Sequence, residues 1–379
     1  MIRVLELTTT TAPGGGPRQV YDLARRLPRS EFEVTVAGPR DGPFFERFRA
    51  LGLTAVEVPT GGPGPGALLA TVRLIRKLGI EVVHTHGKGA GLHGRLAARW
   101  TGVAAVHTFH GIHYESYRRP LQPLYLGLER RLARWTHTVI HVSPTQAAEA
   151  RRLGLAGSDP SVTVINGVDL DEQDRRVAAS PLSRADLGLG ADWAVLGTVA
   201  RFDPVKRLDA LVDALQFLNR RDVALLLVGD GPEATRLRRR VAATGLGARV
   251  VFAGWLDDPA RVSPALDLYV AASLKEGLPL AVLEAMGAGL AVVATDVPGH
   301  RDVVAAGETG LLVAPGDARA LASGIGALLD DPERRARMGR AGRARVAREF
   351  ALQPMVAKTA EIYRAAATAS ARSSRWAEP

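Results

Sequence analysis

Short runs of apolar residues alternate along the chain with amphipathic stretches of helical spacing. In the first half, the apolar runs that predict buried strands are residues 2–7, 32–38, 81–86, 104–110 and 138–143. The stretches between them with apolar side chains at i, i+3 and i+4 are residues 19–27, 67–78 and 89–100. Apolar strands that alternate with helices are typical of a parallel sheet covered by helices on both faces.

The second half repeats this pattern after a polar stretch at about residues 171–190, which carries no strand signal and is interpreted as a linker. Its predicted strands are residues 193–200, 223–231, 250–254, 266–273 and 290–296, and its predicted helices include 208–218, 332–349 and 353–368. The fold class predicted is therefore α/β, with two doubly wound, Rossmann-like domains at residues 1–175 and 190–350.

Composition and charge narrow the class of protein. The chain has 379 residues, 46% hydrophobic and 23% charged, which suits a globular protein of two domains. It has neither an apolar run of about eighteen residues nor a signal-peptide pattern, so we expect a cytoplasmic protein. The absence of cysteine excludes disulfides and thiolate chemistry.

The net charge of +10 suits anionic partners such as nucleotide diphosphates or anionic lipid, although an arginine-rich composition explains it equally well. Basic residues are not interleaved with aromatic ones in a stripe, so nucleic acid is not an expected partner.

A glycine loop, Gly14 to Gly16, lies between the first predicted strand and the first helix. Glycine allows backbone N–H groups to approach a phosphate at a helix N-terminus. The loop matches neither the dinucleotide fingerprint nor the P-loop pattern, and a simple tight turn is the alternative.

Histidines cluster at the ends of two predicted strands, His84 and His86 on one and His107 and His110 on the next. Alternate residues of a strand share a face, which could suggest a metal site, but the sequence places no carboxylate beside them at ligand spacing. We therefore expect no metal. His110 stands where a strand gives way to a glycine, and there it could donate to a sugar hydroxyl or hold a reacting group.

In the second half, Arg201 and Lys206 follow the first strand of the predicted domain. A guanidinium and an ammonium at this place could clamp a diphosphate and neutralise the charge that grows on a leaving group. An ordinary surface loop is the alternative.

Two glutamates, Glu276 and Glu284, lie within one stretch, the first in a loop and the second on a helix that opens near Pro279. Free N–H groups at a helix N-terminus can hold a phosphate. Carboxylates accept hydrogen bonds from vicinal hydroxyls, so one glutamate could hold a sugar and the other a ribose.

These motifs together resemble a known family. ASLKEGLPLAVLEAMGAGLAVVATDVPG resembles the E-x7-E region of the retaining glycosyltransferases of family 4. The segments GGGPRQVYDLARRL, HTFHG, VINGVD, GTVARFDPVKRLDALVDAL, LLLVGDGPEATRLR, VVFAGWLDD and GETGLLVAPGD match the family in order. The likeness extends to about residue 368.

The resemblance implies the GT-B fold, two Rossmann-like domains that face each other across a cleft, with helix 353–368 crossing back to the first. It places the acceptor in the first domain and the nucleotide sugar in the second. It implies catalytic or donor-contacting roles for His110, Arg201, Lys206 and Glu276, and a ribose contact for Glu284. The donor-binding set it implies is completed by Gly15, Gly16, Gly229, Leu256, Gly277, Leu278 and Leu280.

No cofactor or metal is expected, since the basic pair and a helix dipole would replace one. The loop DVPGHRDVV departs mildly from the family, with His300 and Asp302 where many relatives carry other residues.

The function implied is transfer of a sugar, with retained configuration, from a UDP- or GDP-linked donor to an acceptor hydroxyl, in the synthesis of polysaccharide, glycolipid or glycoconjugate. Alternatives are a nucleotide-sugar epimerase of the same fold, a phosphorylase, and a non-catalytic carbohydrate-binding subunit. The phosphorylase would need a pyridoxal-bearing lysine and a longer chain.

Residues 113–137 are rich in Arg, Tyr, Leu and Trp. This segment could lie on the inner face of an anionic membrane and present a lipid-linked acceptor, or it could be an ordinary domain helix.

Overall fold

The computed structural model describes residues 1–62, 64–112, 114, 117–156 and 161–375, with side chains described as far as residue 370. The chain divides into two compact units. Unit 1 comprises Met1–Asn166 and Leu352–Pro379, and unit 2 comprises Gly167–Ala351. The sequence placed residues 167–175 with the first domain, whereas their contacts group them with unit 2.

Unit 1 is built on a parallel sheet, with seven strands in the described residues in the order β3-β2-β1-β4-β5-β6-β7. The strands are β1 (Ile2–Thr8), β2 (Phe32–Gly38), β3 (Thr54–Glu57), β4 (Val82–His86), β5 (Ala104–Phe109), β6 (Thr138–His141) and β7 (Ser161–Thr163). The five predicted strands are present, and the two edge strands β3 and β7 were not predicted. Edge strands are short and less apolar, so they carry a weaker sequence signal.

Helices cover both faces of this sheet. They are α1 (Gly15–Arg26), α2 (Pro43–Ala50), α3 (Pro65–Leu78), α4 (Lys88–Thr101), α5 (Gln122–Ala133), α6 (Pro144–Leu153) and α14 (Leu352–Arg375). On one face, Val4, Val82 and Val106 of the central strands pack with side chains of α1 and α14. On the other, Leu5, Leu7 and Val83 pack with α3 and α4. The C-terminal helix is thus an integral part of the core of unit 1.

Unit 2 contains a second parallel sheet, whose six strands in the described residues have the order β10-β9-β8-β11-β12-β13. The strands are β8 (Ala194–Val199), β9 (Val223–Val228), β10 (Val250–Gly254), β11 (Leu268–Ala271), β12 (Val292–Thr295) and β13 (Gly310–Val313). The helices are α7 (Leu170–Ala179), α8 (Leu208–Leu218), α9 (Ala234–Ala243), α10 (Leu280–Gly287), α11 (Pro298–Val303), α12 (Ala318–Leu329) and α13 (Pro332–Glu349).

The stretch interpreted as a linker therefore begins with a helix. Asp169 caps α7, because its side chain accepts a hydrogen bond from the Glu172 N–H. This cap, with acidic residues in the first turn, stabilises a polar helix that has little apolar signal.

Each sheet reverses its strand order beside its first strand, between β1 and β4 in unit 1 and between β8 and β11 in unit 2. In doubly wound sheets, ligands bind beyond the carboxyl ends of the strands at such a switch point. The loops that follow these strands are therefore the places to look for a site. None of the described helices is both long enough and apolar enough to cross a bilayer.

A buried ion pair joins two helices of unit 1. Arg95 of α4 donates to Glu129 of α5 at 2.7 Å, and the Arg95 Nε donates to the Gly91 carbonyl at 2.7 Å. Both charged side chains are almost wholly buried. A pair in this environment is costly to break, because the surviving charge is left without a partner.

Replacing Arg95 with methionine should therefore lower the free energy of unfolding of unit 1 by about 3–5 kcal/mol, since Glu129 is left buried and unpaired. Urea denaturation followed by circular dichroism measures this change. The double variant Arg95→Met/Glu129→Gln should recover most of the loss. Equal destabilisation of the single and double variants would contradict the role given to the charge.

Candidate active site

A lysine and a glutamate from two loops meet at the switch point of unit 2. Lys206 follows β8, and its Nζ lies 2.6 Å from the Glu276 Oε1, which follows β11. The Ser273 hydroxyl donates to the same oxygen at 2.6 Å. The parallel strands β8 and β11 are neighbours, so the loops at their carboxyl ends converge. Two motifs 70 residues apart in the sequence thus form one cluster.

Glu276 is ionised in this cluster. Burial opposes its ionisation, but the Lys206 charge, His300 and the hydrogen bonds from Lys206 and Ser273 lower the pKa of Glu276 below its usual value. Its other oxygen, Oε2, accepts no hydrogen bond from the described residues. An ionised carboxylate with one oxygen available is suited to accepting hydroxyl hydrogen bonds, and unsuited to acting as a general acid.

His300 lies behind the cluster and is fully buried. Its Nδ1 is 2.7 Å from the Thr295 carbonyl, to which it donates, while its Nε2 has no partner among the described residues. A side chain on the neighbouring Gly299 would clash with Glu276, since a Cβ there would lie 2.7 Å from the Glu276 Cβ. The loop in which the sequence departs from the family therefore packs directly against Glu276.

Arg201, the other half of the predicted clamp, is exposed and forms an ion pair with Asp203, with 2.5 Å between Nε and Oδ2. Gly229 lies against the start of its loop. A Cβ at Gly229 would lie 1.9 Å from the Ala200 carbonyl, and its φ of +129° is in the region that favours glycine. The backbone therefore requires glycine at position 229, where it packs against Ala200, the residue before Arg201.

The other predicted donor-binding residues of unit 2 lie around the same strand ends. Glu284 is the fifth residue of α10 and is half-buried beside a small, mainly apolar cavity that Val199 and Tyr269 also line. The Gln173 side chain of α7 donates to the Glu284 carbonyl at 2.7 Å. Gly277 and Leu278 are buried, whereas Leu280 and Leu256 are partly exposed.

In unit 1, the predicted loop and histidine lie side by side. Gly16 is the second residue of α1, and a Cβ on it would lie 3.3 Å from the His110 Cδ2. Gly15 is exposed at the first position of the helix. The glycine loop therefore allows the helix to approach the ring of His110 closely, which a larger residue would disturb.

The expectation that no carboxylate accompanies the histidines is wrong. Glu6, in the middle of β1, has its Oε2 2.7 Å from the His86 Nε2 and 3.4 Å from the His84 Nδ1. The three side chains are close enough together to hold an ion. Each ring nitrogen of His84 and His86, however, already has a hydrogen-bonding partner, including Tyr363 and Thr108 for His84.

These neighbours set the charges of the group. Burial alone would raise the pKa of Glu6, but His84 and His86 and their hydrogen bonds hold it well below its usual value. Burial and the proximity of His84 lower the pKa of His86 to about 4. Burial and the same two histidines lower the pKa of His110 well below its usual value. At neutral pH the carboxylate is charged, and His86 and His110 are neutral.

Sequence reasoning missed Ser273, Glu6, His86 and Tyr363 as partners of the predicted site residues. Glu6 had a usable signal, a lone carboxylate within the buried strand IRVLELT. Tyr363 had none, because its contact with Glu6 spans 357 residues.

Comparison with known proteins gives two family matches. Residues 13–172 match the family described as "Glycosyltransferase Family 4", and residues 180–345 match "Glycosyl transferases group 1". A Mycobacterium tuberculosis protein named GDP-mannose-dependent alpha-(1-6)-phosphatidylinositol monomannoside mannosyltransferase is 30% identical, over 96% of this chain and 98% of its own. The chain belongs to the family 4 glycosyltransferases.

Two further similarities agree with this assignment. The Escherichia coli enzyme named UDP-Gal:alpha-D-GlcNAc-diphosphoundecaprenol alpha-1,3-galactosyltransferase is 28% identical, over 80% of this chain and 82% of its own. The crystal structure of Anabaena HepE with UDP-glucose superimposes with a TM-score of 0.84 at 22% identity, covering 96% of this chain and all of HepE. The two doubly wound units are those of the GT-B fold. The epimerase alternative is not favoured, since the E. coli and M. tuberculosis relatives are named as transferases.

The glycosyltransferase should keep its rate of sugar transfer as the pH falls from 8 to about 5.5. Glu276 stays ionised and His86 and His110 stay neutral over this range, because their pKa values are all lowered. Initial rates, with the melting temperature at each pH as a control for unfolding, measure this. A loss of rate with an apparent pKa near 6.5 would show that an ordinary histidine governs the reaction.

Proposed function

We propose that this glycosyltransferase transfers a sugar, with retention of configuration, from a UDP- or GDP-linked donor to an acceptor hydroxyl. The observation that carries the proposal is the contact between Lys206 and Glu276. It joins a phosphate-binding cation to a sugar-binding carboxylate at the switch point of one doubly wound unit, where such folds bind nucleotides.

The division of roles follows from charge and position. Lys206 uses one donor for Glu276 and has two further N–H groups for diphosphate oxygens. The available Oε2 of Glu276 suits a hydroxyl of the transferred sugar. Glu284, one turn into α10, suits the ribose hydroxyls of the nucleotide.

The reaction we propose needs no metal ion. Arg201 and Lys206, although each is paired with a carboxylate, retain N–H donors that could bind the diphosphate in place of a metal ion. The names of the E. coli and M. tuberculosis relatives include UDP-galactose and GDP-mannose, which supports a uridine or guanosine diphosphate sugar as donor.

Glu276→Ala should reduce transfer by at least about 100-fold while nucleotide binding survives, because only the sugar contact is lost. Glu284→Ala should instead weaken nucleotide binding about tenfold, through loss of the ribose contact. Thermal shift against UDP, GDP and their sugars identifies the donor, and transfer is then assayed with a metal chelator present.

The exposed Glu333→Ala of α13 serves as the matched control and should change neither binding nor transfer. Equal loss of nucleotide binding in the Glu276 and Glu284 variants would contradict the division of roles. Loss of transfer on chelation would contradict metal independence, and absence of any nucleotide shift would contradict the proposed donor.

A specific surface favours an acceptor that is presented at a membrane. The side chains of Leu121, Leu124 and Leu128 at helix α5 are 47%, 72% and 43% exposed, and they follow helical spacing. Exposed arginines flank them at positions 118, 119, 130, 131 and 134. Of the segment predicted for this role, His113, Glu115 and Ser116 lie outside the described residues. Apolar side chains bordered by arginines suit an anionic bilayer surface.

The protein should therefore sediment with vesicles that contain anionic phosphatidylglycerol at low salt, and not with purely zwitterionic vesicles. Leu124→Ser/Leu128→Ser should reduce the bound fraction severalfold, because the apolar contacts are lost. Leu69→Ser, at a 40% exposed leucine of α3, is the matched control and should bind normally. Equal binding by both variants, or no binding to anionic vesicles, would exclude this surface.

A further inference from the structure

A continuous chain of hydrogen bonds leads from the core of unit 1 to the strand ends. The Tyr363 hydroxyl of α14 donates to the Glu6 Oε1. The Glu6 Oε2 lies 2.7 Å from the His86 Nε2, and the His86 Nδ1 lies 3.0 Å from the His110 Nε2. Tyr363, Glu6 and His86 are buried, whereas His110 is partly exposed. The chain therefore ends on the one member that a ligand can reach.

The carboxylate at the inner end fixes the direction of every proton in this chain. An ionised carboxylate only accepts, so His86 must carry its proton on Nε2. Because His86 is neutral, its Nδ1 is a bare lone pair, which requires a proton on the Nε2 of His110. The two rings lie at 27° to each other with their centroids 5.2 Å apart, which agrees with a hydrogen bond between their nitrogens.

The outer end of the chain is consequently an acceptor. A neutral His110 with its proton on Nε2 has a bare Nδ1, and that nitrogen has no hydrogen-bonding partner among the described residues. The sequence left open whether His110 would donate to a sugar hydroxyl. The hydrogen-bond chain instead favours a ligand that donates, such as a hydroxyl group.

We propose that Glu6 and His86 are positioning residues of the transfer reaction, which keep the proton of His110 on Nε2 and so present its Nδ1 to a hydroxyl of a sugar substrate. This inference rests on the function proposed above, since the hydroxyl that His110 would bind is taken to be that of a sugar substrate. Glu6 does not touch the substrate and acts through two imidazole rings, much as a buried carboxylate orients the histidine of a hydrolase triad.

Two features of the structure support a role beyond packing. A carboxylate buried within a sheet carries a desolvation cost that an apolar residue at the same place would avoid. Every ring nitrogen of His84 and His86 also has a hydrogen-bonding partner already, so the group needs no ion to satisfy it. The chain of hydrogen bonds therefore accounts for these buried polar side chains without a metal ion.

Nitrogen-15 NMR of the protein with labelled histidine tests the inference without any substrate, because protonated and bare ring nitrogens differ in chemical shift. We expect His110 to carry its proton on Nε2, with its signal assigned through its loss in His110→Gln. A proton on Nδ1 of His110 in the unaltered protein would overturn the inference, whether or not the proposed donor is correct.

Glu6→Gln then tests the link to catalysis. Its amide can satisfy Tyr363 with the carbonyl and turn its NH2 group to the His86 Nε2, which shifts the protons of both rings to the opposite nitrogens. We expect kcat to fall on the order of tenfold, with KM for the nucleotide sugar changed less than about threefold. The NMR signal of His110 should change in the same variant.

Thr85→Val is the matched control, since it removes a buried hydrogen bond of 2.8 Å between Thr85 and His107, on the other face of the same strands. It should leave both kcat and the His110 signal unchanged. An equal loss of kcat in Glu6→Gln and Thr85→Val would show that Glu6 has only a structural role, which would contradict the inference. An unchanged His110 signal and kcat in folded Glu6→Gln would also overturn the inference. If Glu6→Gln fails to fold, the NMR of the unaltered protein still decides the question.

Discussion

A carboxylate that leaves water must find hydrogen-bond donors, and this requirement organises the strand ends of both units. In unit 1, Glu6 draws two histidines and the Tyr363 hydroxyl around it. In unit 2, Glu276 draws Lys206 and Ser273. The donors to Glu6 come from β4 and α14, and those to Glu276 from the loops after β8 and β11, so each buried charge joins segments that are distant in the sequence. Among the described residues, these hydrogen bonds leave the Oε2 of Glu276 and the Nδ1 of His110 without a partner, so these are the atoms that a ligand can bind.

Much of the architecture could be predicted from the chain alone because the central strands are buried on both faces. Runs such as IRVLEL and VALLLV have no amphipathic alternation to confuse with helix, and their order with helices dictates parallel pairing. The short strands β3 and β13 and the polar helix α7 were missed for the converse reason. The edge strands are short, and α7 is a polar helix that depends on its Asp169 cap, so both leave little pattern in the apolar residues.

The candidate site could be predicted as a set of residues and not as a set of contacts. Arg201, Lys206 and Glu276 were identified because each follows a strand that ends at the switch point. The contact between Lys206 and Glu276 was not predicted, because it depends on the pairing of β8 with β11. The partner of the histidines was misjudged because Glu6 is adjacent to them only across the sheet, where the register pairs Glu6 with His84.

The path of the chain through the two cores has a consequence for biosynthesis. Unit 2 is made of one continuous segment, whereas the core of unit 1 requires Leu352, Met355 and Tyr363 of α14 beside Val4 and Val20. A ribosome synthesises these residues of α14 only after all of unit 2. Unit 2 can therefore fold while the chain is still growing, whereas the core of unit 1 lacks the side chains of α14 until unit 2 has been made. The carboxylate of Glu6 therefore acquires its tyrosine partner only after unit 2 has been synthesised.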